Sequence, residues 1–116
     1  MKAIAPAQLD EWLAQVAAGA PAGGLPVVLD VREPWELQTA SVKGDNFELR
    51  HIPMRGVPQR LAELDRDLPI ACLCHHGVRS AQVANFLIQQ GFTQVVNIHG
   101  GIHAWSQERD PGVPVY

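Results

Sequence analysis

Apolar positions along the chain follow two rhythms. Leu9, Trp12, Leu13, Val16 and Ala17 recur at helical spacing, which predicts a helix over Pro6 to Ala18, with Pro6 suited to its first position. Ser80 to Gln90 carries the clearest helical pattern, with Val83, Ala84, Phe86, Leu87 and Ile88 on one side and Gln82, Asn85 and Gln89 on the other. Gly91 is a natural stop for it. Between the helices lie short unbroken apolar runs, Val27 to Val31, Leu68 to Leu73 and Val95 to Ile98, of the kind buried on both faces of a parallel sheet. Phe47 to Ile52 alternates apolar with polar and reads as a half-exposed or edge strand. Further helices are expected from Pro34, with Glu33 and Glu36 near its positive end. Two more are expected, one from Pro58 with Leu61 and Leu64 facing inward, and a last one after Gly100-Gly101 that ends before Asp110-Pro111-Gly112. Gly19 to Pro26 is a breaker-rich loop, and Ser41 to Asn46 is turn-like.

Strands alternating with helices imply an α/β domain, a mostly parallel sheet with helices on both faces. The 116 residues fit one such domain spanning 1–116, with no internal repeat and no linker long enough to divide it. In such sheets function gathers beyond the carboxyl ends of the strands. That edge would collect Asp30 to Trp35, His51 to Arg55, Cys74 to Arg79 and His99 to Gly101.

Composition narrows the field. An apolar fraction of 47% and a charged fraction of 18% fit a soluble globular chain. A net charge of −3 gives no electrostatic case for nucleic acid or an anionic membrane surface. No apolar run approaches the roughly 18 residues of a spanning helix. The first residues turn polar by Gln8, Asp10 and Glu11 and make a poor signal peptide, so a cytoplasmic location is expected. Cys72 and Cys74 cannot make a disulfide framework. In an extended strand their Cα atoms would lie about 6.6 Å apart, near the limit for bridging, so Cys72 reads as core.

The chemistry concentrates in Cys74-His75-His76-Gly77-Val78-Arg79-Ser80. A strand that stops at a cysteine, loops and enters a helix aims backbone N–H groups and a helix N-terminus at one spot. Such surroundings lower a thiol pKa from about 8.5 toward or below neutral, and the thiolate is the nucleophile. A lone cysteine after a strand is more often a small buried hydrophobe. The company of Gly77, Arg79 and Ser80 favours a nucleophile. Gly77 supplies a backbone conformation other residues resist. Arg79 either fixes the loop and favours anions or pairs structurally with a carboxylate. Ser80 is read as the helix cap, with a hydrogen bond to Cys74 as the sharper alternative.

The five histidines make no His-x-x-x-His or Cys-x-x-Cys pairing, and no metal or other cofactor is called for. His75 and His76, being adjacent, are expected to point apart and to line the pocket. A possible rim comprises Asp30 and Arg32, read as scaffold, Trp35, read as core more than pocket wall, and His99 at a strand end. Arg50 and Arg55 read as solvated surface charges.

Four segments, Asp30-Val31-Arg32-Glu33-Pro34, His51-Ile52-Pro53, Cys74 to Ser80, and Gly100-Gly101-Ile102-His103-Ala104-Trp105, together resemble the single-domain rhodanese-like sulfurtransferases over essentially the whole chain. The resemblance implies a five-stranded, mainly parallel sheet, a catalytic Cys74 that carries a persulfide, and residues 74–79 as its cradle. It also implies a small-molecule sulfane-sulfur donor such as thiosulfate, a cyanide or thiol acceptor, and room for a protein donor or acceptor. The family often has Gly before the His-Ile-Pro segment and Gly-Ala after it; here Arg50 and Met54-Arg55-Gly56 stand there. Two rival readings remain. Cysteine phosphatases and arsenate reductases have five residues between Cys and Arg, where this chain has the four from His75 to Val78. Some rhodanese-like domains lack the cysteine and serve as interaction surfaces; an intact Cys74 argues against that here but leaves open a persulfide relay whose partner is another protein.

Overall fold

The computed structural model describes residues 1–17, 24–44 and 46–116. The sheet comprises β1 (Lys2–Ile4), β2 (Val27–Asp30), β3 (Glu48–His51), β4 (Ile70–Leu73) and β5 (Val95–Ile98), and the helices are α1 (Leu9–Ala17), α2 (Pro34–Thr39), α3 (Val78–Gln89) and α4 (Gly101–Glu108). The strand order is β1-β5-β4-β2-β3, and every pairing is parallel. Among the described residues no helix is long and apolar enough to cross a membrane.

Alternation along the strands divides the interior into two cores. Val28, Ala71, Leu73, Val96 and Ile98 face one side and pack against Leu9, Trp12 and Leu13 of α1 and Ile102 and Trp105 of α4. Val27, Leu29, Ile70, Cys72 and Val95 face the other and meet Val83, Ala84 and Leu87 of α3. The sheet is therefore covered on both faces, as its unbroken apolar runs require. The chain leaves β2 for one edge strand and β4 for the opposite half of the sheet. The loops after β2 and β4 thus flank the crevice where strand order reverses.

Local departures from the sequence reading have identifiable causes. The first helix opens as a 3-10 turn over Pro6–Gln8 before α1 begins. No α-helix follows Pro58; two 3-10 turns, Met54–Gly56 and Leu61–Glu63, flank a run of turns instead. Only Val57 and Leu64 are buried there, too narrow an apolar stripe to hold a helix against the sheet. Helix α3 begins at Val78, two residues before the expected start, because Gly77 at φ +105° turns the chain directly into it. Strand β1 has no strong pattern of its own and borrows its order from pairing with β5. The breaker-rich stretch from Gly19 to Gly23 lies outside the described residues.

Candidate active site

Cys74 follows β4 immediately and is 1% exposed. Its neighbours nevertheless turn toward its sulfur. The Gly77 N–H donates to Cys74 Sγ at 2.9 Å, and Ser80 Oγ lies 3.3 Å from the same atom. Thus the thiol is enclosed, but by polar groups aimed at it.

What holds the loop open around the sulfur is α4. The first free N–H groups of that helix, at Ile102 and His103, donate to the carbonyls of Cys74 and His75 at 2.8 and 3.1 Å. A trans peptide sends its C=O and the following N–H in opposite directions. With both carbonyls pinned to α4, the N–H groups of His75 and His76 face away from that helix. This close approach is why Gly101 must be glycine. At φ +61°, an added Cβ would lie 2.5 Å from the Cys74 carbonyl oxygen and overlap the His75 carbonyl as well.

The loop's cation is committed to a partner. Arg79 forks onto Glu36, Nη1 to Oε2 and Nη2 to Oε1, both at 2.8 Å. Glu36, 3% exposed, also accepts from the Tyr116 hydroxyl at 2.9 Å and from the Glu33 N–H at 2.8 Å. The Arg79 guanidinium, ahead of these other donors and against burial, holds the Glu36 carboxyl down at about 2. Beneath this pair, Arg32 is fully buried. It donates to Asp30, to the carbonyls of Glu36 and Ala40, and to the Tyr116 hydroxyl at 2.9 Å. One connected set of charges therefore ties the loop after β2, helix α2, Tyr116 and the start of α3 together.

Five rings run across the mouth. Trp35 meets Tyr116 edge to face at 6.3 Å, Tyr116 stacks on His75 at 3.9 Å, His75 stacks on His76 at 3.9 Å, and His76 lies 5.2 Å from His103. His75 Nε2 donates to the main-chain oxygen of Tyr116 at 2.7 Å, since that oxygen can only accept. Burial is the main reason the His75 imidazole titrates below its ordinary 6.5.

Several expectations need correction. His75 and His76 do not point apart; the bend at Gly77 brings their rings face to face. Asp30 and Arg32 do not rim the pocket but lie buried below it. Trp35 is not core, being 61% exposed. Ser80 does not cap α3, since Gly77 occupies that position and the hydroxyl faces Cys74. His99 is exposed at the end of β5, where its N–H extends the pairing to Ile4. Arg50 reaches Glu48 and the Glu63 carbonyl on the surface. Three residues join the site that the motifs did not single out as such: Glu36, Tyr116 and Asn97. Asn97 interrupts an apolar strand, the one available signal.

A family model, the rhodanese-like domain, matches residues 8–108. The chain belongs to the rhodanese-like family. Among curated proteins, it is 43% identical over 90 residues to the "Rhodanese-like/PpiC domain-containing protein 12, chloroplastic" of Arabidopsis thaliana, covering 77% of this chain but 30% of that protein. It is 32% identical over 89 residues to a "Sulfurtransferase" of Allochromatium vinosum, covering 77% of each. Among solved structures, a rhodanese-related protein from Thermoplasma volcanium superposes with a TM-score of 0.74 at 34% identity, with all of both chains covered. The rhodanese-like architecture accounts for the five parallel strands and for the placing of the Cys74 loop at the point of strand reversal.

Proposed function

We propose that this chain is a sulfurtransferase that carries a sulfane sulfur as a persulfide on Cys74. The observation that supports it most directly is the Gly77 N–H directed at Cys74 Sγ at 2.9 Å, within a loop whose carbonyls are drawn off to α4. The Allochromatium relative's name, "Sulfurtransferase", and that of a Pseudomonas aeruginosa relative, "Thiosulfate sulfurtransferase GlpE", 35% identical over 67% of each chain, support the same reading.

The Cys74 thiolate attacks the outer sulfur of a donor such as thiosulfate. The donor's S–S bond breaks, its electron pair leaves with sulfite, and Cys74 becomes a persulfide with its charge on the terminal sulfur. Loop N–H groups stabilise that charge. An acceptor, cyanide or a thiolate, then attacks the terminal sulfur and the Cys74 thiolate is regenerated. Two half-reactions through a covalent intermediate give ping-pong kinetics. A cysteine 1% exposed suits a donor that presents one slender sulfur atom. The four residues between Cys74 and Arg79 form a ring tighter than the five of a cysteine phosphatase.

Intact-mass spectrometry after treatment with sulfane donors tests this. One added sulfur atom is expected, removed by cyanide or a thiol and absent in Cys74→Ala. No mass gain with thiosulfate, a small-thiol persulfide or a protein persulfide would refute the assignment and favour an interaction module.

A further inference from the structure

Ser80 is fully buried and its hydroxyl has one proton. Two acceptors compete for it: Cys74 Sγ at 3.3 Å and Asn97 Oδ1. The Asn97 amide cannot turn to relieve the competition, because its Nδ2 donates to the Gly77 carbonyl at 3.1 Å. Gly77 in turn donates its own N–H to Cys74 Sγ. Cys74, Ser80, Asn97 and Gly77 thus form a closed ring of hydrogen bonds. Asn97 is 5% exposed and lies on β5 opposite Cys72.

We propose that Asn97 is a positioning residue for the reaction: it competes with Cys74 for the Ser80 proton, and so governs how readily the sulfur ionises and how well it leaves. The proposal rests on the persulfide reading for its role in turnover. In the resting thiol, Cys74 S–H can donate to Ser80 Oγ while Ser80 donates to Asn97. Ionisation removes the thiol proton and makes Sγ the stronger acceptor. The hydroxyl then turns to Sγ and leaves Asn97 Oδ1 buried without a donor, which opposes ionisation. Loading a sulfur moves the charge to the outer atom, Sγ becomes a weak acceptor, and the hydroxyl returns to Asn97. During unloading the S–S bond breaks with its electron pair going to Sγ. The hydroxyl swings back as that charge appears, keeping its proton throughout.

The titratable and charged groups on the surrounding elements are Cys72 on β4 and Arg79 on α3, both within electrostatic reach of Cys74, Glu36 on α2 paired with Arg79, and the ring stack of His75, His76 and His103. The substitutions below leave all of them in place. Burial drives the Cys72 thiol far up, so the first thiolate absorbance to appear as pH rises reports Cys74, with Cys74→Ala as the blank.

The test is a titration of that absorbance in a double-mutant cycle. Asn97→Leu is expected to lower the midpoint by about one pH unit, a tenfold shift in the thiol–thiolate ratio of the size one charge-assisted hydrogen bond gives. Ser80→Ala is expected to raise it by a similar amount. In the Ser80→Ala background, Asn97→Leu should move nothing. A midpoint that does not fall in Asn97→Leu, or that falls equally without Ser80, overturns the proposal. Should Asn97→Leu fail to fold, the unaltered protein decides. The Asn97 side-chain amide resonance should shift as the thiol ionises and stay still in Ser80→Ala; a resonance indifferent to ionisation overturns the proposal. None of these readouts uses a sulfur donor, so their failure is separable from a failure to form the persulfide.

Discussion

Arg79→Ala separates the two roles open to this residue, anion attraction and structural pairing. In the folded protein Glu36 lies well below its ordinary 4.5, at about 2, with the Arg79 fork as the largest cause. A fall of that size favours the folded carboxylate by about 3 kcal/mol. Arg79 is 35% exposed and Glu36 4%, so solvent screens one end of the pair. Arg79 also shares the work with the Tyr116 hydroxyl and the Glu33 N–H. Discounted for both, Arg79→Ala should cost about 2 kcal/mol at pH 7. A group with a depressed folded-state pKa contributes stability above its unfolded value and loses it as pH falls through the folded one. The deficit of the variant should therefore be complete above pH 4.5, shrink by roughly half at pH 3, and vanish below about 2. Urea unfolding followed by Trp fluorescence at several pH values measures this. A variant as stable as the parent at pH 7, or a deficit that acid does not shrink, would refute the structural role.

Other perturbations bear on the same frame. Gly101→Ala should destabilise by about 3 kcal/mol or more, because the new Cβ would meet two carbonyls at a positive φ; thermal melting checks it, and a near-neutral result would mean that α4 does not clamp the loop. Tyr116→Phe keeps the ring on His75 but removes the hydroxyl that serves Arg32 and Glu36, with an expected loss of about 1–2 kcal/mol in urea unfolding. His75 should titrate below 6.5 by NMR and return toward that value in Tyr116→Ala, since burial under neighbouring rings depresses it. Its neutral form is the one the fold prefers, so acidification below about pH 6.5 should cost stability and Tyr116→Ala should blunt that loss.

The sequence displayed the frame of the molecule more fully than its seams. Unbroken runs such as Val27–Leu29 and Val95–Val96 announce strands buried twice over, and the amphipathic α3 could be nothing but a helix. Cys74 and its loop were legible because a strand end, a glycine and an arginine converge within six residues. Contacts between distant segments left weaker traces. Glu36 and Arg79 are 43 positions apart, and nothing local to either says that they meet. Tyr116 carries no motif, yet it bridges the second helix and the Cys74 loop. The rings of His75 and His76 depend on how Gly77 bends, which adjacency in the chain does not encode. The helix read from Pro58 failed because two leucines at the right spacing did not find enough sheet to cover.

The near-complete enclosure of Cys74, 1% exposed, has a consequence for how its thiol meets oxidants. Stepwise oxidation of a thiol adds one oxygen, then two, then three to the same sulfur. Those oxygens need room on several sides of the sulfur, and Cys74, with the Gly77 N–H and the Ser80 hydroxyl against its Sγ, offers little. The fold should therefore slow oxidation of this thiol relative to an exposed one.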